Sequence, residues 1–475
     1  MSAHPIAPAP FDIVAADVIL RTSDNVDFYV YSVVLLLASL FFEAMFSSQA
    51  QRPVIHVPED SRTLEDLLRF CYPVEDPVIN DLLQVDLVLE AALKYDIAVA
   101  FKPLVKTLPG FVPTHSPQVY AIACRLGLEE VAKLAAVEWG KSTFDEYSPD
   151  FSGTMAGASY VPEMARIPAG TYYRLLFYLR TREEIPFCKP APPKEPLFSD
   201  AQAPGGWPPF SDANTDIIIR SSDNIDFRAH TMIFGLPKGG SLLSQLMKDT
   251  HDSAVDGTPV LRMDADGEVL SEILIMCYPP GLTASRLESN DFGTFRRVIQ
   301  TAQKYEMTAV IRVVKSIWKR GLEKEPLTMY LVAVACDWND EAREALEYLA
   351  TWPICDLYTV ELEDTKADVY RGLLKRYHHL QGSMYQAMQP FAISPRSFFT
   401  PEVSVANGQW KQLWLTSSHG QPARTVPSLL LELEVKRGRK LGDRYSYNLA
   451  DIMNTRHQLE VKLKQVVKNA VFEEI

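Results

Sequence analysis

The sequence predicts an α+β chain built twice over. Each copy is a small mixed sheet with a helix cluster, followed by an all-helical extension. Three observations carry this. Asp17–Ser32, DVILRTSDNVDFYVYS, returns without a gap at Asp216–Thr231 as DIIIRSSDNIDFRAHT. Two short motifs then recur in the same order: Phe70-Cys71-Tyr72-Pro73 with Met276-Cys277-Tyr278-Pro279, and Leu93-Lys94-Tyr95-Asp96 with Gln303-Lys304-Tyr305-Glu306. Beyond them the pattern turns purely helical, with Tyr330, Ala333, Ala335 and Cys336 paralleling Tyr120, Ala121, Ala123 and Cys124. Ordered recurrence of this kind is the signature of a duplicated structural unit.

In the first copy, Val18-Ile19-Leu20 reads as a short strand and Val26–Val30 as its return. Ser23-Asp24-Asn25 between them is turn chemistry: these side chains bond their own backbone, and Asn accepts a left-handed conformation. Ser32 stands where an N-capping hydroxyl would start a helix. That helix is expected to run to Phe46, carrying Val33, Val34, Leu36, Leu37, Leu40, Phe41 and Met45. So many apolar positions exceed one face, so the helix is expected to be buried nearly all round, being central or touching a second domain as well. Met232, Ile233, Leu242, Leu243 and Leu246 fill the same role in the second copy, where Pro237-Lys238-Gly239 should break or bend the helix.

Val54–Val57 alternates and β-branches as a strand does. A helix is expected from Ser61, capped by Ser61 or Asp60. Two more are expected at Asp86–Tyr95 and Ala98–Thr107, with Asp96 in the break. From Ser116 the chain should be helical through Leu128, then from Glu129 to Trp139, where small alanines suit close helix packing. A last helix is expected at Ala169–Thr181, and Tyr173-Arg174-Leu175-Leu176 is paralleled by Tyr370-Arg371-Gly372-Leu373-Leu374. The resulting boundaries are 1–10 (disordered), 11–110 (first copy), 111–185 (its extension), 186–212 (Pro-rich linker), 213–322 (second copy), 323–381 (its extension) and 382–475 (C-terminal region with a terminal helix).

Composition narrows the function. The net charge of −13 comes without a basic block of the kind that tracks phosphates, which argues against nucleic-acid binding. The small cluster Lys436, Arg437, Arg439, Lys440 and Arg444 reads as a solvated loop. The longest uncharged run, Phe28–Phe42, is shorter than the roughly 20 residues a spanning helix needs, and the N-terminus lacks the charged and apolar regions of a signal peptide. The six cysteines form no metal or redox spacing. Cys71/Cys277 and Cys124/Cys336 sit at equivalent repeat positions and read as small hydrophobes. Neither phosphate-binding glycine motifs nor nucleophile or zinc signatures occur. The expectation is therefore no catalytic, cofactor-binding or metal-binding residue.

The repeated pattern resembles the BTB/POZ family: an opening Asp-hydrophobic strand, a turn, an Asp-Phe-x-x-His step into a helix, and a small-Ser-x-x-Phe helix end. Asp226, Phe227 and His230 match it in the second copy, and Asp27, Phe28, Ser39 and Phe42 in the first. Tyr31 replaces the histidine in the first copy, and His230 is expected to bond nearby backbone. Ala38 stands where many members carry an Arg that would partner Asp27, so the charged pocket of that pair is not expected. The resemblance implies a non-catalytic protein–protein interaction and oligomerisation protein, a scaffold or adaptor in the cytoplasm or nucleus. As alternatives it implies a cullin-type ubiquitin ligase adaptor or a transcription cofactor; an enzyme with a dispersed site is the contrasting class. Implied partners are proteins: the two copies within one chain, a homodimer, or a cullin, with neither nucleic acid nor membrane involved.

Overall fold

The computed structural model describes residues 4–39, 41–42, 54–142, 160–188, 215–232, 257–278, 292–349, 352, 354–392 and 465. These fall into two compact units. The first holds the described part of 1–148, with 160–166 and 184–188. The second holds 167–183 and the described residues from 215 onward.

In the first unit, β1 (Val18–Arg21) and β2 (Asp27–Val30) form an antiparallel hairpin with Val18 opposite Val30 and Arg21 opposite Asp27. β3 (Val54–His56) joins β1 in parallel, giving the order β2-β1-β3. Alternation puts Val18 and Leu20 in the core, and Phe28 and Val30 join them from β2. Asn25 turns the hairpin with φ 63°, the left-handed value its side chain tolerates.

α1 (Ser32–Ala38) departs from expectation. It is short, and only Leu35 is buried, whereas Val33 is 57% and Leu37 85% exposed. Ser39 leaves the helix in an extended conformation (φ −153°, ψ 123°) because its hydroxyl is used elsewhere. It donates to the Tyr95 carbonyl and accepts from the Phe42 N–H at 3.3 Å. A serine that bonds distant backbone competes with helix continuation. Phe42 beyond it is buried, stacked on Tyr95 at 5.3 Å. Leu40 and residues 43–46 lie outside the described residues.

α2 (Ser61–Arg69) is capped by Asp60, whose carboxylate accepts from Thr63 N–H at 2.7 Å. It buries Leu64, Leu67 and Leu68. α3 (Leu82–Lys94) follows, and Asp96 makes the break with φ 51°. α4 (Ala98–Arg125) joins what the sequence divides in two, bending at His115 (φ −135°, ψ 38°) between Pro113 and Pro117. Four prolines sit within this span, and the kink is where the chain departs from helical angles. α5 (Glu129–Ser142) packs on α4, where Ala121, Ala123, Ala132, Ala135 and Ala136 are all buried. A single 3₁₀ turn, Pro162–Arg166, brings Arg166 beside Arg125, Asp86 and Glu90, so the buried Asp86 meets two guanidinium groups.

Two chain segments expected to be irregular are held in place. Residues 1–10 are read from sequence as disordered, yet Ile6 bridges Asp27: Asp27 N–H donates to the Pro5 carbonyl (2.8 Å) and Ala7 N–H to the Asp27 carbonyl (2.9 Å). Prolines deny this segment regular structure of its own, but a free strand edge supplies its partners. At the start of the Pro-rich stretch, the Phe187 and Cys188 N–H groups donate to the Glu129 carboxylate at 2.8 and 2.7 Å. The Phe187 ring meets Tyr120 edge-on. The remainder of that stretch and nearly all of the C-terminal region lie outside the described residues.

The second unit begins in sequence with α6 (Ala169–Thr181). Its sheet repeats the first: β4 (Ile217–Arg220), β5 (Asp226–Ala229) and β6 (Val260–Arg262) in the order β5-β4-β6, antiparallel then parallel. α7 (Gly267–Cys277) is capped by Asp266, which accepts from Val269 N–H at 2.9 Å. α8 (Phe292–Lys304), α9 (Thr308–Gly321), α10 (Pro326–Ala335) and α11 (Asn339–Leu349) continue the helix cluster. α12 (Glu361–Asp364) and α13 (Ala367–Ala392) close it, both packed against α6. Trp318 is buried at its centre, its indole N–H donating to the Met329 carbonyl at 2.8 Å. The left-handed residues also recur: Asn224 matches Asn25, Glu306 (φ 54°) matches Asp96, and Asp337 (φ 57°) matches Gly127 (φ 69°).

Replacing Asp60 by Ala removes the α2 cap and is expected to cost about 1 kcal/mol. Urea unfolding should show a lower midpoint with an unchanged slope.

Candidate interaction surface

The hairpin is anchored by three carboxylates, each with a different task. Asp17 takes the capping role expected of Ser32. Ser32 is the first residue of α1, and its N–H (2.8 Å) and hydroxyl both donate to Asp17. Tyr31 occupies the cap position without a side-chain bond. Asp216 does the same for Thr231 at 2.7 Å. Asp24, in the turn, accepts from Ser61 N–H (3.0 Å) and its hydroxyl (2.6 Å), tying the hairpin to the start of α2. Asp223 accepts from Gly267 N–H at 2.9 Å in the second copy.

Asp27 does have an arginine partner. Arg21, directly opposite across the hairpin, makes two parallel bonds to it at 2.6 and 2.9 Å. Arg220 and Asp226 repeat the fork at 2.6 and 2.7 Å. The absence of arginine at Ala38 therefore does not leave Asp27 unpaired. The hydrogen bond from Arg21 and its charge outweigh desolvation and hold the Asp27 carboxyl below the usual carboxylate range. Arg220 does the same for Asp226. Bidentate geometry makes these the strong form of ion pair. The signal was present in sequence, since Arg21 and Arg220 recur and hairpin register places each opposite its aspartate.

The next repeated anchor is a tyrosine hydroxyl. Tyr72 accepts from Tyr31 N–H at 2.9 Å. Tyr278 instead meets the His230 Nδ1 at 3.1 Å. His230 thus contacts a phenol rather than the backbone expected of it. Cys71 and Cys277 beside these tyrosines behave as hydrophobes, burial raising their thiols to about 11 and about 12. Thiolates are the reactive form, so neither is a nucleophile at neutral pH.

With the hairpin and helix start fixed, α1 presents Val33 and Leu37 outward, while Val34 and Leu36 are half-buried and Phe41 is exposed. In the second copy Met232 is 68% exposed. Ile233, Leu242, Leu243 and Leu246 lie outside the described residues, as does Pro237–Gly239. Phe28 and Phe227, expected as family-motif residues, are core side chains that seat the sheet. The N-terminal segment adds Ile6, Ile13 and Val14 to the exposed apolar residues of this unit, while Phe11 anchors it between Phe28 and Tyr72. Among the described residues, no group of three or more His, Cys, Asp or Glu gathers as a metal site would, and no helix is long and apolar enough to cross a membrane.

A carboxylate whose folded pKa is depressed contributes stability above its unfolded pKa and loses it as pH falls through the folded value. Stability supplied by Asp27 is therefore intact above the unfolded value of about 3.9 and lost below it. Asp27→Asn should flatten the part of the acid-unfolding profile below about pH 4 and leave its shape near neutrality unchanged. Denaturant midpoints taken across pH check this.

The geometry therefore describes a carboxylate-pinned hairpin that holds a short helix with Val33 and Leu37 exposed. No curated protein matches the chain. Residues 13–109, which contain this hairpin and helix, match the family model of the BTB/POZ domain, a module of protein–protein interaction.

Proposed function

We propose that the chain is a non-catalytic interaction and oligomerisation protein carrying two BTB/POZ-type domains, and that it serves as a scaffold or adaptor. The observation that carries this reading is the outward apolar side of α1, with Leu37 85% exposed on a helix whose start is fixed by Asp17. Apolar side chains held outward on a rigid element favour association. Support for a second such domain comes from its matching sheet order, the Arg220–Asp226 fork, the Asp216 cap and the recurring left-handed residues. Val33, Val34, Leu36, Leu37 and Phe41 form the first contact surface, with Met232 as the described member of the second.

The proposed occupant of the first surface is the same surface of a second chain, in an isologous pair, the commonest closed arrangement of like subunits. Leu37 being exposed, Leu37→Asp is expected to change unfolding free energy by no more than about 0.5 kcal/mol. It should nevertheless weaken self-association at least about tenfold, because an unpaired carboxylate is costly to desolvate in an interface. Sedimentation of the full chain over a dilution series tests both points. A wild-type chain that stays monomeric at every concentration, or a Leu37→Asp chain that dimerises equally well, would overturn the reading.

A further inference from the structure

The second unit contains a helix pair in which two segments with a recurring sequence pattern meet about a local two-fold. Its centre is an antiparallel bridge between Pro168 and Lys366. On either side the backbone bonds are reciprocal: Ala169 N–H donates to the Thr365 carbonyl (2.7 Å), and Ala367 N–H to the Ile167 carbonyl (3.0 Å). Proline is acceptable at the centre because, in an antiparallel pair of this kind, the opposed residues do not exchange bonds with each other. Each arm runs at once into a helix, α6 from Ala169 and α13 from Ala367. Counted outward from the bridge, Tyr172 corresponds to Tyr370. The two rings meet edge-on at 6.4 Å, and both are buried.

Among the described residues the relation fails at two charged pairs, Arg180–Asp356, which is partly exposed, and Arg174–Glu363, which is buried. Arg174 and Glu363 form a salt bridge with both side chains more than nine-tenths buried. Glu363 also accepts from the Tyr358 hydroxyl at 2.7 Å. Gly170 makes room for it, since a Cβ there would run into the Glu363 carboxylate. By the same count from the bridge, Gly372 corresponds to Arg174 and Ala165 to Glu363. A pair of two α6 helices would therefore bury two arginines with no carboxylate opposite. A pair of two arms that each carry α12 into α13 would bury two Glu363 carboxylates with no arginine opposite. Unpaired buried charge is strongly destabilising, whereas the mixed pair satisfies both groups.

We propose that residues 167–183 are an intrachain docking segment. Sequence preceding the Pro-rich stretch supplies α6 to a helical layer encoded after it, and Arg174–Glu363 selects this mixed pairing over pairing of like helices. The partner chemistry is a buried carboxylate beside a tyrosine-lined helix, provided by α12 and α13. The surface is distinct from α1, so it would persist if the proposal for α1 were wrong.

The test uses the full chain with a site-specific protease sequence inserted within residues 189–214, so that cleavage separates α6 from α13 covalently. The two fragments should remain together on size-exclusion chromatography at micromolar concentration. Glu363→Arg should weaken their association on the order of 100-fold, and adding Arg174→Glu should recover most of that loss. Wild-type fragments that separate at once would overturn the proposal. So would a Glu363→Arg chain whose fragments bind unchanged, or a double variant no tighter than the single one.

Discussion

In each copy the sheet has three strands of three or four residues, too little hydrogen bonding to be rigid alone. What fixes it is the set of three aspartates on the hairpin. One caps the following helix, one ties the turn to the next helix, and one is locked in a two-pronged bond to the arginine opposite. Asp17 and Asp24 act from the surface on helix-start N–H groups, and Asp27 is buried against its arginine; each bond is charge-assisted, the stronger kind. The position of α1, and so of the apolar side chains it displays, follows from these bonds. A hairpin that slipped by one residue would separate Arg21 from Asp27 and turn Leu20 outward together.

The same logic of satisfying buried charge recurs further along the chain. Asp86 is acceptable in the first unit because Arg125 and Arg166 both reach it. Burial still raises its pKa, the desolvation outweighing the two arginines. Arg174 is acceptable in the second unit because Glu363 comes from a different stretch of sequence. In both cases breaking the pair would leave a buried charge unmatched, which is strongly destabilising.

The recurring hairpin, the turn residues and most helix starts were legible in the sequence. Asn25 and Asp60 act through short-range geometry, and such signals survive without tertiary information, whereas Asp24 reaches Ser61 at the start of α2. The helix expected near Ala169–Thr181 spans those residues, because a periodic apolar pattern is a local property. The early end of α1 was not legible. Local propensity in VVLLLA announces no stop; only the resemblance marked Ser39 and Phe42 as a helix end, and the stop comes from the Tyr95 carbonyl reached by Ser39. Nor could composition show that the Pro-rich N-terminus would lie along the edge of β2, since that order comes from the free strand edge.

By itself, the sequence determined the recurring strand-turn-strand, its turn residues and the register that sets Arg21 opposite Asp27, since each depends on neighbours in the chain or on register counted from a turn. Tertiary structure alone decided which apolar residues of α1 face outward and where Ser39 and His230 find their partners. It also decided that a helix encoded before the Pro-rich stretch belongs to the unit encoded after it. Those outcomes depend on which buried groups meet across long sequence separations, and the cost of leaving a buried charge or backbone group unmatched selects among them.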